Sequence, residues 1–393
     1  MKNILFIELC NFTDYPLGGH LSFATHLATA MQGDIDLVGI RTDTRFPERT
    51  WSKIELCGHT YNFFNVKNIA LSFKKPLIPS RVSSFFQIKR CIRQVLFHKD
   101  YDLIIVQTPE VLLSMPKSSL KKVCLIMPGV GNPLEISRYT FFRRFAKLYD
   151  KLFFSYVKHV KIILPAADKE AIQQFIVRSC NCVTEDKVKQ FPTRYDATLF
   201  KMMDKQQARS LLHIPENELM LVTTGRLNWF KGWKFLIDSF LLFKKNHAQA
   251  KLYFIGKGED ELKIREYISE LSLDESVILA GVHPLPVVAR YLQSADLFVM
   301  GSFFEGWSTA LVEAVACAVP CVVTEFSSAH DLVKDGENGF VLTNRNEHDY
   351  VVLLEKALKL DFKEISSHAF NAYQKMSVQT MRSQLNDILD FES

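Results

Sequence analysis

Glu305 and Glu313 stand eight positions apart, on either side of a small-residue turn, Gly306-Trp307-Ser308-Thr309. The apolar run Leu297-Phe298-Val299-Met300 ahead of them reads as a buried strand, and the residues after the turn read as a helix. This order puts the turn at a helix N-terminus, where unpaired N–H groups and a partial positive charge suit a phosphate. A carboxylate deeper in the helix can accept hydrogen bonds from sugar hydroxyls. Together these parts suit a nucleotide-sugar.

A second constellation points to the same ligand. The strand-like run Leu219–Thr224 is followed by Gly225-Arg226-Leu227-Asn228-Trp229-Phe230-Lys231-Gly232. Gly225 frees the backbone where the strand ends, and Arg226 and Lys231 then share one short loop. A planar fork and a point charge together make a clamp for a diphosphate. The competing reading is of two solvated loop charges, and Glu305 has a similar competitor, as the cap of the helix that follows it.

The C-terminal half resembles the donor-binding domain of the retaining family-4 glycosyltransferases of the GT-B fold. The resemblance is carried by Gly225-Arg226 with Lys231-Gly232, Ile255-Gly256-Lys257-Gly258, the Glu305/Glu313 pair and Asp335-Gly336-Glu337-Asn338-Gly339. It covers residues 188–345 well; earlier, Pro16-Leu17-Gly18-Gly19 is similar to the family's glycine-rich first loop. The resemblance implies retaining transfer of a hexosyl or related sugar from a UDP-, GDP- or ADP-sugar to a glycan or lipid-linked acceptor. Catalytic roles fall on Arg226 and Lys231, facing the departing diphosphate, and on Glu305 beside the sugar. Gly225, Gly306, Trp307, Ser308, Thr309 and Glu313 would bind the donor, Glu313 through its ribose. Gly19 would let the backbone approach the diphosphate, with His20 a further contact. No suitably placed DxD motif is present, so neither a metal nor another cofactor is expected.

The sequence departs from the family at two places. Ile126-Met127-Pro128-Gly129-Val130-Gly131-Asn132-Pro133 has no histidine where many relatives carry one near the reacting sugar, and Ala318 stands where a helix-ending glycine is usual. The alanine suggests a different termination of that helix.

To position these residues the chain needs strands ending at the loops, and apolar runs of strand length recur throughout. They are Ile4–Leu9, Asp36–Ile40, Leu103–Val106, Val123–Met127 and Lys161–Leu164, then Leu219–Thr224, Lys251–Ile255, Val277–Leu279, Leu297–Met300 and Cys321–Val323. Helical patterns separate most of them. The expected class is α/β: two Rossmann-like, doubly wound parallel-sheet domains facing each other across a cleft. The expected boundaries are 1–190 for the acceptor side, 191–362 for donor binding, and terminal helices over 363–393 packing back on the first domain.

A length of 393 residues fits two cores. With 48% hydrophobic and 23% charged residues, the composition is that of a folded soluble protein. Met1–Glu8 reads as a first strand, not a signal peptide, and no apolar run reaches spanning length. Eight scattered cysteines lack zinc-ligand spacing and read as reduced thiols in a cytoplasmic protein.

Charge divides unevenly, +12 over residues 1–195 and −7 over 196–393. Much of the excess lies in Ser72–Lys99 and in the stretch from Arg138 to Lys161. In the latter, Phe142, Phe145, Tyr149, Phe153 and Tyr156 recur at helical spacing among Arg143, Arg144, Lys147 and Lys151. Such a helix suits an anionic membrane surface at the inner face of the cell membrane. The competing reading is an ordinary helix with its aromatics on the sheet and its charges in water. Nucleic acid is a poor partner, because no recognition motif accompanies the charge.

Two functions stand open: a glycosyltransferase of surface polysaccharide (lipopolysaccharide or capsule) biosynthesis, and a non-catalytic nucleotide-sugar-binding partner in an assembly complex. An oxidoreductase is distant, since no G-x-G-x-x-G follows the first strand.

Overall fold

The computed structural model describes residues 3–16, 19–43, 45–69, 80–135 and 140–389. The chain forms two compact units, residues 1–192 with 381–393 and residues 193–380. Leu17, Gly18, Ser72–Pro79, Arg138 and Tyr139, singled out above, lie outside the described residues.

The first unit runs β1 (Ile4–Ile7), α1 (Gly19–Met31), β2 (Ile35–Arg41), β3 (Thr50–Leu56), β4 (His59–Asn68), α2 (Ser80–Leu96), β5 (Leu103–Val106) and α3 (Pro109–Ser114). It continues with β6 (Val123–Met127), α4 (Thr140–Arg143), α5 (Ala146–Val157), β7 (Ile162–Pro165) and α6 (Lys169–Arg178). Its seven strands lie in the order β3-β4-β2-β1-β5-β6-β7. The central strands are buried on both faces, as continuous apolar runs in a helix-covered sheet must be.

The sheet is parallel except at one edge. β3 runs antiparallel to β4, from Thr50 opposite Asn65 to Leu56 opposite His59. Cys57 and Gly58 join them with φ of 51° and 78°, the positive values that a tight hairpin turn needs. Alternating polar residues and a non-glycine at the first turn position hid this hairpin from a search for apolar runs.

The second unit contains α7 (Lys205–Leu212), β8 (Leu219–Thr224), α8 (Trp233–Phe243), β9 (Ala250–Ile255), α9 (Glu261–Glu270), β10 (Val277–Gly281), α10 (Leu285–Ser294) and β11 (Leu297–Met300). Then follow α11 (Thr309–Ala316), β12 (Cys321–Thr324), α12 (Ala329–Leu332), β13 (Gly339–Leu342), α13 (Glu347–Ala357) and α14 (Phe362–Met376). All six strands are parallel, in the order β10-β9-β8-β11-β12-β13. The order reverses between β8 and β11, and a doubly wound sheet opens its ligand crevice at such a point, beyond the strand carboxyl ends. Both candidate donor loops leave those two ends.

α14 packs on the second unit through Ile365 and Ala369 against Ala318. Only α15 (Met381–Ile388) belongs to the first unit, where Met381, Leu385 and Leu389 join the apolar cluster around α1. No helix among the described residues is long and apolar enough to cross a membrane.

The basic-aromatic stretch also differs from expectation. It breaks at Arg144–Phe145 into α4 and α5. Phe153 is core, with Tyr149 and Tyr156 packed against the same cluster. The Phe142 side chain lies outside the description, and among the described side chains those apolar ones that face water are Phe141, Phe145, Leu148 and Leu152, at helical spacing beside exposed Arg144, Lys147 and Lys151.

Candidate functional site

The loop after β8 is shaped by its glycines. Gly225 has φ +132°, and Gly232, which opens α8, has φ +67°. A Cβ on Gly232 would lie 1.7 Å from the Gly301 carbonyl oxygen, so only glycine lets this loop rest on the loop that follows β11. The two loops are further joined by the Phe303 N–H donating to the Phe230 carbonyl at 2.7 Å. Arg345 donates to the Gly301 carbonyl as well.

Within this double loop the ammonium of Lys231 meets Glu305 Oε1 at 2.5 Å. Ser302 Oγ donates to the same carboxylate oxygen at 2.8 Å. Ser302 is fully buried and its carbonyl accepts from Thr324 Oγ1 at 2.7 Å, so the hydroxyl is held in place from behind. Arg226 is exposed and lines, with Gly225, Lys231 and Ser302, one small cavity at the carboxyl end of β8. Glu305 is therefore not the helix cap. That role belongs to Ser308, whose Oγ accepts from the Leu311 N–H at 3.4 Å.

α11 buries Leu311, Val312, Ala314 and Val315. Its first-turn N–H groups present partial positive charge beside Gly306 and Trp307. The Ser308 N–H is already donated to Ser328 Oγ at 3.2 Å, which withdraws it from the expected phosphate cradle. Trp307 is nearly buried, and its indole N–H has no acceptor among the described residues. One turn on, Glu313 is partly exposed as a residue, but the crowding of protein around its carboxyl pushes its pKa up to about 8. The Cys317 thiol is also pushed up, by burial and then by the neighbouring Glu313. A carboxyl desolvated in this way becomes a strong acceptor once ligand hydroxyls draw it into the ionised form.

Gly19 and His20 begin α1 in the first unit, where the His20 carbonyl accepts from Gln107 Nε2 at 3.3 Å. In the loop after β6, buried Asn132 donates to the Ala146 carbonyl and accepts from the Leu134 N–H, each at 2.9 Å. Asn132 thus fixes that loop.

The Ala318 expectation is overturned. Ala318 has φ +56°, with its N–H on Val315 and the Val319 N–H on Ala314, the left-handed ending that glycine normally provides. The Asp335–Gly339 motif is structural: Asn338 accepts from the Lys334 N–H at 2.7 Å and donates to the Leu332 carbonyl at 2.9 Å. Three features of the site escaped sequence reasoning: the Ser302 hydroxyl, the exposed Trp229 and Phe303 rings, and Asn228. Asn228 is fully buried, with neither amide atom hydrogen-bonded among the described residues. Only the position of Ser302 straight after a strand end hinted at its place.

Residues 204–376 match the model of the family described as glycosyl transferases group 1. An uncharacterised glycosyltransferase of Methanocaldococcus jannaschii is 25% identical over 284 residues, 70% of this chain and 66% of that protein. The lipopolysaccharide 1,6-galactosyltransferase of Salmonella typhimurium is 30% identical over 142 residues, 35% of this chain and 39% of that protein. The chain thus spans about two thirds, or less, of the curated relatives it matches. Among solved structures, the sucrose-phosphate synthase of Thermosynechococcus elongatus superposes with a TM-score of 0.76 at 14% identity, covering 99% of this chain and 98% of that one. HepE of Anabaena, in complex with UDP and glucose, superposes with a TM-score of 0.71 at 17% identity, covering 100% of each chain. The architecture, two α/β domains each built on a parallel or mainly parallel sheet, is that of GT-B glycosyltransferases.

Proposed function

We propose, from a second unit that matches the group 1 glycosyl transferases, that this chain moves a sugar from a nucleotide-diphosphate donor to a lipid-linked glycan acceptor in surface polysaccharide biosynthesis, with retention at the anomeric carbon. The observation that carries the reading is the Lys231–Glu305 pair at the switch point of the second sheet.

In this reading the diphosphate replaces the Glu305 carboxylate on Lys231 and lies between Lys231 and Arg226. As the bond from anomeric carbon to diphosphate oxygen breaks, its electron pair leaves with the diphosphate, where the two cations and the α11 N-terminus offset the growing charge. The acceptor hydroxyl forms the new bond on the same face, and its proton passes to the departing phosphate oxygen. Glu305, freed from Lys231 but still held by Ser302, turns to the sugar hydroxyls. Glu313 takes the ribose hydroxyls. Gly19 and His20 are assigned to donor or acceptor on the resemblance alone.

The lipid-linked acceptor is supported by the outer face of α4 and α5, where Phe141, Phe145, Leu148 and Leu152 lie among exposed basic residues. That face suits the surface of an anionic bilayer. UDP-sugars are the first donors to test, because UDP is held by structural neighbours such as HepE.

The test is release of UDP from UDP-glucose, UDP-galactose and UDP-N-acetylglucosamine, with and without a polyprenyl-diphosphate-linked sugar in anionic vesicles. Release that depends on the acceptor supports transfer. Nucleotide binding without release in any pairing would favour the non-catalytic partner.

A further inference from the structure

Beside the Lys231–Glu305 pair stands an aromatic surface that donor binding does not explain. Trp229, Phe303 and Phe304 are 62%, 42% and 68% exposed. An exposed cluster of large rings is unusual on a soluble surface and marks a place where something docks. The Trp229 and Phe303 ring centroids lie 5.7 Å apart at 46°. Phe230 meets Trp229 edge-on at 6.0 Å. The Arg345 guanidinium lies 3.6 Å from the Phe303 ring centroid, supporting that ring from one side. The backbone beneath is fixed by the Phe303-to-Phe230 hydrogen bond and the Gly232–Gly301 contact. The rings are thus held in place before any ligand arrives, which lowers the entropy cost of binding.

We infer that Trp229 and Phe303, with Phe304 at the edge, form a stacking subsite for a pyranose ring of the acceptor glycan. The proposal rests on the glycosyltransferase reading. A pyranose presents a face of C–H groups with hydroxyls around its rim. The negative faces of aromatic rings attract those C–H groups, and the hydroxyls need polar neighbours. Lys231 and Glu305 are carried by the same two loops as the rings, Arg226 stands on the first of those loops, and Arg345 packs on Phe303. This mixture of ring faces and charged rim suits a sugar better than a hydrocarbon chain.

The depth of the groups separates acceptor from donor. The Lys231 and Glu305 side chains are only 24% and 15% exposed, whereas the aromatic rings stand further out. A diphosphate taken into the inner pair leaves the outer rings to a second sugar arriving from solvent.

The test uses full-length protein labelled with 5-fluorotryptophan and read by fluorine NMR. The four tryptophans are resolved by assigning one resonance with Trp229→Phe. Methyl glucopyranoside, methyl galactopyranoside and methyl N-acetylglucosaminide are titrated with and without saturating UDP. At least one pyranoside should move the Trp229 resonance and leave those of Trp51 and Trp233 in place. Its affinity should fall about two- to tenfold in Phe303→Ala, with Phe304→Ala as a second variant on a ring whose loss threatens the fold less. UDP affinity should stay within about twofold in both variants. A Trp229 resonance unmoved by every pyranoside, or moved only by a polyprenyl phosphate, would overturn the subsite. UDP binding without pyranoside shifts sinks this inference alone. Pyranoside shifts without UDP binding sink the donor reading and leave the subsite standing.

Discussion

Lys231 Nζ and Glu305 Oε1 lie 2.5 Å apart and join the loops that leave β8 and β11. The pair brings together a cation and a carboxylate that the sequence separates by 74 positions. Each satisfies the other, so an incoming diphosphate must compete with an internal carboxylate.

Glu305→Gln should therefore separate binding from turnover. Removing the competing charge should tighten nucleoside diphosphate binding about three- to tenfold, the worth of a partly exposed ion pair. The same change should lower kcat by about a hundredfold or more, because the sugar loses an oriented carboxylate. Calorimetry and initial rates on one preparation read both effects, and parallel losses in the two would contradict the exchange of partners on Lys231.

Glu313 should give nucleotide binding a pH dependence. Its carboxyl, raised to about 8 by desolvation, is largely protonated at pH 7 in the free protein. Hydroxyls donated by a ribose favour the ionised form, so binding expels a proton and affinity rises with pH up to about 8. UDP affinity measured from pH 6 to 8.5 should climb in the parent to about pH 8, whereas in Glu313→Gln the rise should end near neutral pH, where the terminal phosphate of UDP is already ionised.

The same residue limits stability. An acid raised on folding contributes its full share below its unfolded value, near 4.5, and loses it progressively as pH rises through about 8. Glu313→Gln should thus be more stable than the parent at pH 8 by up to a few kcal/mol, with little difference at pH 4.5. Urea midpoints at the two pH values check this, and a gap that widens towards acid would contradict the desolvated carboxyl.

Ala318→Gly should stabilise the protein by about 0.5–1 kcal/mol. A left-handed alanine costs about 1–2 kcal/mol, partly offset by the unfolded-chain entropy of glycine and by the Ala318 contact with Ile365 and Ala369. Thermal unfolding measures it, and a lowered Tm would show that the methyl contact outweighs the backbone strain.

Much of the framework was legible in the sequence. Leu103–Val106, Val123–Met127, Leu219–Thr224 and Leu297–Met300 form strands with the expected ends, because a continuous apolar run between turn residues has few other uses. β3, β4 and β13 were missed. Polar alternation disguised the hairpin, and Gly339–Leu342 is too short to stand out. At the site, residue types along one loop were readable, but pairings between loops were not. Nothing in the order of residues tells that Ser302 holds Glu305, or that Ser328 takes the Ser308 N–H. Helical spacing also could not tell which aromatics of 140–157 face the core, since the rings are spread around the axis.

The outer face of α5 should bind anionic vesicles. Reversing Lys147 and Lys151 to glutamate should weaken sedimentation with phosphatidylserine-containing vesicles by about tenfold or more, at about 1 kcal/mol per basic residue. Binding should also fall with added salt. Equal binding of parent and variant would leave α4 and α5 as an ordinary solvated surface.

The central claim is that the loops after β8 and β11 hold a nucleoside diphosphate. The most direct measurement is the rise in melting temperature with UDP, GDP and ADP, made on the parent, Lys231→Ala and Glu313→Ala. One nucleotide should stabilise the parent by about 2.7 kcal/mol at a hundred times its Kd, and both variants should lose most of that gain. No stabilisation by any of the three, or an equal gain in both variants, would contradict the account.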